Sequence, residues 1–144
     1  MKKIAIGGDH AGYELKSELI NYLNEIGYTV KDYGTYSDES TDYPDYVHPL
    51  ANAIENGEFK LGIILCGSAN GVSMTANKHQ GIRAALSWTP EIAKLGRLHN
   101  DANVLALPAR YLSKSEAIDI VEAFISTDFE GGRHQRRVDK IAIN

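Results

Sequence analysis

The chain has 144 residues, 43% hydrophobic and 24% charged, enough for one globular unit with its own core. Fifteen Lys and Arg against nineteen Asp and Glu give a net charge of −4, which argues against a general nucleic-acid binder but allows a local basic pocket. A single cysteine, Cys66, excludes an internal disulfide and a cysteine-based zinc site, and no apolar run approaches the roughly 20 residues of a membrane span. The start, Met1–Gly8, is charged, and its apolar stretch is too short for a signal peptide. The expected location is the cytoplasm, where a lone thiol stays reduced.

In chain order, Lys3–Gly8 reads as a first strand before a glycine turn. Ala11–Ile26 carries Leu15, Leu19, Ile20, Leu23 and Ile26 at helical spacing and stops at Gly27. Tyr28–Tyr33 alternates like a second strand. Val47–Asn56 places Val47, Leu50, Ala51 and Ile54 on one helical face before Gly57. Leu61–Cys66 is nearly all apolar, as a strand covered on both faces requires. A loop and a helix over Ser73–His79 follow, then a fourth strand at Ile82–Leu86. Pro90 suits the first turn of a helix to about Leu98. Asn103–Leu107 is the fifth strand, and Ser113 with Glu116 forms a capping-box pattern for a helix to Ser126. From Thr127 the chain is polar, with four cationic residues between Arg133 and Lys140.

Alternating strands and helices predict an α/β fold: one Rossmann-like, doubly wound, mostly parallel five-stranded sheet with helices on both faces. Ligands of such sheets bind outside the carboxyl ends of the strands, where strand order reverses. Three loops lie there: Gly7–Gly12, Cys66–Gly71 and Pro108–Tyr111.

Gly67, Ser68, Ala69, Asn70 and Gly71 follow the buried third strand and lead into a helix. Small residues there let backbone N–H groups approach a phosphate or a developing enolate oxygen. The run is neither a Walker loop nor Gly-x-Gly-x-x-Gly, and a plain tight turn is the competing reading. Cys66 sits where amide dipoles favour a thiolate, able to act as base or nucleophile, although most free cysteines are simply buried. Val72 stands where a Cys-x5-Arg phosphatase loop would need Arg. Asp9 and His10 bring an acid and an imidazole to the same mouth, and Asp9 also suits a helix cap. His48 and His79 lie on helical segments with no matching partner and read as surface or packing residues. His99 and Asn100 precede the fifth strand, at the amino end of the sheet. There they are a solvated loop unless a neighbouring subunit, or a long loop that carries them across, brings them to the site. Arg133, Arg136 and Arg137, after Gly131-Gly132, are a solvated charged face or bidentate phosphate ligands. Arg110 is a further phosphate candidate. Asp32–Asp45 holds five acids and no base.

Several of these motifs occur together in one known family. Gly-Gly-Asp-His at 7–10, Thr-Asp-Tyr-Pro at 41–44, Cys-Gly-Ser-Ala-Asn-Gly at 66–71, Ala-Asn-Lys at 76–78 and Gly-Ile-Arg-Ala at 81–84 all fit it. So do His-Asn-Asp-Ala-Asn-Val-Leu-Ala at 99–106 and Glu-Gly-Gly-Arg-His-Gln-x-Arg-Val at 130–138. In this order, over nearly the whole length, the chain resembles the ribose-5-phosphate isomerase B family, which includes the galactose-6-phosphate isomerase subunits. The resemblance implies a homodimer, sometimes a tetramer; the chain is expected to form one domain over 1–144, with tail 127–144 against the partner subunit. It implies a sugar-phosphate substrate, no cofactor and no metal. The implied chemistry is the aldose–ketose isomerisation of the pentose phosphate pathway, ribose 5-phosphate to ribulose 5-phosphate, with a hexose 6-phosphate as the neighbouring option. A non-catalytic sugar-phosphate module on the same fold is the option from another class. By position, Cys66 resembles the base and His99 the acid that assists ring opening, in a site shared between subunits. Asp9, His10, Tyr43, Gly67, Ser68, Ala69, Asn70, Gly71, Asn100, Arg110, Arg133 and Arg137 resemble substrate ligands. Ser68 replaces a common Thr and Ala69 a common Gly. One branch of the family lacks the cysteine and has Glu at the position of Val72.

Overall fold

A computed structural model describes residues 2–143; Met1 and Asn144, the ends of the expected 1–144 unit, lie outside the described residues. Five strands, β1 Lys2–Gly8, β2 Tyr28–Asp32, β3 Gly62–Cys66, β4 Ala84–Leu86 and β5 Val104–Pro108, form one sheet in the order β2-β1-β3-β5-β4. All four strand pairs are parallel. The order reverses at β1, whose two neighbours are β2 and β3, so the carboxyl ends of β1 and β3 flank the crevice where such folds bind ligands.

Side-chain alternation divides the core between the two faces. Ile4, Ile6, Ile63, Leu65, Leu105 and Leu107 point to one face. There they meet α1 Tyr13–Glu25, α4 Pro90–Asn100 and α5 Lys114–Ile125 through Leu19, Leu23, Ala93, Ile120 and Phe124. Ala5, Ile64, Cys66, Val104 and Ala106 point to the other face. It is covered by α2 Pro44–Glu55 and α3 Asn70–Ala76 through Val47, Leu50, Ala51, Val72 and Ala76. Each large aliphatic chain fully removed from water contributes about 1.5–3 kcal/mol, which fixes the strand register and with it the position of Cys66.

The predicted boundaries move at several helix starts. A 3-10 turn, His10–Gly12, precedes α1, and Asp9 caps it by accepting from Ala11 N–H at 3.0 Å. Helix α2 starts at Pro44, three residues before the expected Val47, because proline's fixed φ suits the first helical position. Helix α3 starts at Asn70 and not Ser73, because Ala69 adopts the left-handed conformation, φ 67°, and turns the chain early. The segment after Thr127 contains a helix the sequence reading missed, α6 Arg133–Val138, entered through Gly131 and Gly132 at positive φ. The Ser113–Glu116 capping box is present.

Candidate active site

The three carboxyl-end loops meet around one cavity of about 370 Å3, lined by Asp9, His10, Tyr43, Cys66, Ser68 and Arg110 among others. Cys66 ends β3 and is only 5% exposed, yet it borders this cavity. The Arg110 backbone N–H donates to the Gly67 carbonyl at 3.1 Å, which ties the loop after β5 to the loop after β3. Gly67 leaves room for the Arg110 guanidinium, since a Cβ there would sit 3.0 Å from its Nη1. At Gly71 a Cβ would run into the Tyr43 ring, so only glycine lets that ring lie against the start of α3. The Ser68 hydroxyl accepts from Asn70 N–H at 3.3 Å and from its Nδ2 at 3.2 Å. Ala69 is fully buried and packs in the core beneath the loop; of the expected ligand run, only Gly67, Ser68 and Gly71 line the cavity.

The remaining predicted residues gather elsewhere in the chain. His99 and Asn100 form the last turn of α4 and not the solvated loop that the sequence suggested. Helix α4 runs back from the carboxyl side of the sheet, so this turn lies toward the amino ends. None of His99, Asn100, Arg133 and Arg137 lines the Cys66 cavity. Instead α6 brings His134 onto His99, ring centroids 4.3 Å apart and planes 17° from parallel. Arg133 and Arg137 are exposed on the same short helix, and Arg137 reaches back to the Arg133 carbonyl at 3.5 Å. Within one chain the predicted residues therefore fall into two separate groups, a thiol with small loop residues in one and a histidine with two exposed arginines in the other.

No ligand cluster was legible in the sequence, but His99, Glu130 and His134 bring potential metal-ligating atoms within 4.8 Å of one another. The near-parallel stacking of the two imidazoles keeps their in-plane lone pairs from converging on one ion, and Arg133 and Arg137 add positive charge on α6.

His48 and His79, expected to lack partners, contact each other, Nδ1 to Nε2 at 2.7 Å, and His79 Nδ1 meets Glu55 at 2.9 Å. The Gly81 N–H bond to Glu55, reinforced by His79, holds the Glu55 carboxyl below its usual range. Lys16, absent from the sequence-based candidates, is 1% exposed and donates to both Asp32 oxygens at 2.7 and 2.8 Å. Its signal was readable: with Leu19, Ile20 and Leu23 it occupies the apolar stripe of α1 at i, i+3, i+4 and i+7.

A larger cavity, about 620 Å3, opens at the amino ends of the strands beside Lys60, Arg83, Arg97 and Asp101. Its arginines are already engaged, Arg97 with Asp101 and the Thr127 and Ala102 carbonyls and Arg83 with the Asn100 and Asp101 carbonyls. The smaller hollow is the one at the switch point, where the three carboxyl-end loops meet.

Fold and hollow together define a doubly wound α/β protein that holds a small ligand at the reversal of its strand order. A family model described as Ribose/Galactose Isomerase matches residues 4–141, and the chain belongs to that family. It is 48% identical over 141 residues to ribose-5-phosphate isomerase B of Escherichia coli K12, covering 98% of this chain and 95% of the relative. The crystal structure of a ribose 5-phosphate isomerase from Thermotoga maritima superposes with a TM-score of 0.96 at 50% identity, covering 98% of this chain and 97% of the other. Ribose-5-phosphate isomerase B from Mycoplasma genitalium, solved with bound ribulose 5-phosphate, gives a TM-score of 0.91 at 44% identity, covering 96% and 93%. Among the described residues no helix is long and apolar enough to cross a membrane.

Proposed function

We propose that this chain is an aldose–ketose isomerase interconverting ribose 5-phosphate and ribulose 5-phosphate. The observation that carries the reading is Cys66 at the edge of a hollow also lined by Asp9, His10, Ser68 and Arg110, in a chain of this family. A phosphate held by arginine fixes one end of the sugar, so that binding energy far from the reaction places C1 and C2. His99 assists ring opening, which exposes the aldehyde. The Cys66 sulfur takes the proton from C2, the electron pair moves toward C1–O1, and an enediolate forms. Amides of the 68–71 loop stabilise its oxygen, about 3 kcal/mol for each well-aimed donor. The Asp9 carboxylate carries the hydroxyl proton between O2 and O1, and the Cys66 thiol returns its proton to C1. Every atom of the aldose is kept in the ketose, so the reaction is redox-neutral overall.

The remaining ligands in this reading are His10, Tyr43, Gly67, Ser68, Asn70, Gly71, Asn100, Arg110, Arg133 and Arg137, with the buried Ala69 shaping the loop from beneath. The separation of His99, Arg133 and Arg137 from the Cys66 cavity supports a homodimer whose sites take one half from each subunit, with residues 127–144 against the partner. The working location is the cytoplasm, with the whole chain as one domain. A coupled assay with pentose and hexose phosphates side by side, with and without chelator, tests this. Turnover of ribose 5-phosphate in both conditions is expected. Turnover of only a hexose 6-phosphate would move the substrate to the galactose side of the family, and tight binding without turnover would leave a sensor.

A further inference from the structure

Residues 33–43 form a strap between β2 and α2, and its root is tied to the first catalytic-side loop. The Gly8 N–H donates to the Gly34 carbonyl and the Thr35 N–H to the Gly8 carbonyl, both at 2.7 Å. Beneath them the Lys16 ammonium donates to the Thr35 carbonyl at 2.7 Å as well as to Asp32. Asp32 in turn accepts from Gly34 N–H at 2.8 Å. Further along, the Thr41 backbone N–H points at His10 Nδ1 at 3.1 Å, while the Thr41 hydroxyl has no partner. His10 borders the Cys66 cavity.

A backbone N–H can only donate, so Nδ1 must supply a lone pair, and a neutral imidazole then carries its one proton on Nε2. We propose that the strap, anchored by Lys16, fixes His10 as the Nε2–H tautomer, so that His10 meets a bound ligand as a hydrogen-bond donor. An Nε2–H edge has no lone pair, so His10 recognises an oxygen acceptor, a phosphate or sugar oxygen, and takes no proton from carbon there. That assignment of ligand rests on the isomerase reading; the tautomer does not. Lys16 is then a positioning residue acting through the strap, and Thr41 acts through its main chain alone.

The tautomer is read on ligand-free, histidine-15N-labelled protein by two-bond proton–nitrogen correlation at a pH where the ring is neutral. A His10→Phe spectrum identifies the His10 signals among those of the five histidines. The Nε2–H pattern is expected, and an Nδ1–H pattern or an averaged mixture overturns the proposal. Thr41→Pro deletes the N–H, whereas Thr41→Ala deletes only the unpartnered hydroxyl. His10 in Thr41→Pro should lose its single tautomer, and KM for ribose 5-phosphate should rise about five- to tenfold relative to Thr41→Ala, with kcat within about twofold. Equal KM and equal spectra in the two variants would refute the positioning role. Should Thr41→Pro not fold, the wild-type spectrum decides alone. A protein with the expected tautomer and no isomerase activity would sink the functional reading and leave this one standing.

Discussion

Lys16→Met isolates the buried anchor of the strap. The wild-type ammonium makes three contacts of 2.7–2.8 Å, two to Asp32 and one to the Thr35 carbonyl. Removing one partner of a fully buried ion pair costs about 3–5 kcal/mol. Asp32 is 30% exposed, so water screens its stranded charge, and Met fills most of the lysine stem's volume. The expected loss is therefore about 2–3 kcal/mol. With an unfolding entropy of about 2.1 cal/mol/K per residue, each kcal/mol moves Tm of a chain this size by about 3 °C, so Tm should fall by roughly 6–10 °C. Thermal and urea unfolding at one fixed protein concentration measure it. In a cycle with Asp32→Asn the double variant should fall short of additivity by about 1 kcal/mol or more. A Tm within about 1 °C of wild type, or strict additivity, would refute the claim that this pair is a coupled anchor.

Three further outcomes are expected. Arg137→Ala should raise KM for the sugar phosphate about tenfold or more through a lost charge-assisted contact, with a smaller change in kcat; an unchanged KM removes Arg137 from the phosphate site. Co-expressed Cys66→Ala and His99→Ala chains should regain activity in mixed dimers, and no recovery despite verified mixing counts against a shared site. The Glu55 carboxyl titrates below its ordinary 4.5 in the folded chain, so it contributes stability above that pH and loses it as pH falls through the depressed folded value. The Tm advantage of wild type over Glu55→Gln should accordingly shrink below pH 4.5, and parallel pH profiles would contradict this.

What was legible in the sequence was set by local patterns. Strand alternation, the apolar run ending at Cys66 and the Ser113 capping box are decided within a few residues, and the structure keeps them. The loops after β1, β3 and β5 were ranked by topology alone, and they line the cavity. The early start of α3 was not legible, because Ala69 takes a backbone conformation that L-residues seldom adopt. Helix α6 was hidden in a polar, glycine-led stretch whose pattern carries almost no apolar periodicity. The His48–His79–Glu55 chain and the His99–His134 stack join residues 24 to 35 positions apart, contacts that only the packed fold reveals. Lys16 went unread because a charge on an apolar stripe looks like an interruption until its partner, Asp32 at the end of β2, is known.

The central claim is that the Cys66 sulfur moves the proton between C2 and C1. Cys66→Ala tests it by pairing ribose 5-phosphate turnover with the affinity for ribitol 5-phosphate, which has no carbonyl to isomerise. Turnover should fall by about 10³-fold or more with analogue affinity within a few-fold of wild type. Turnover at the wild-type rate in a folded Cys66→Ala protein would contradict it.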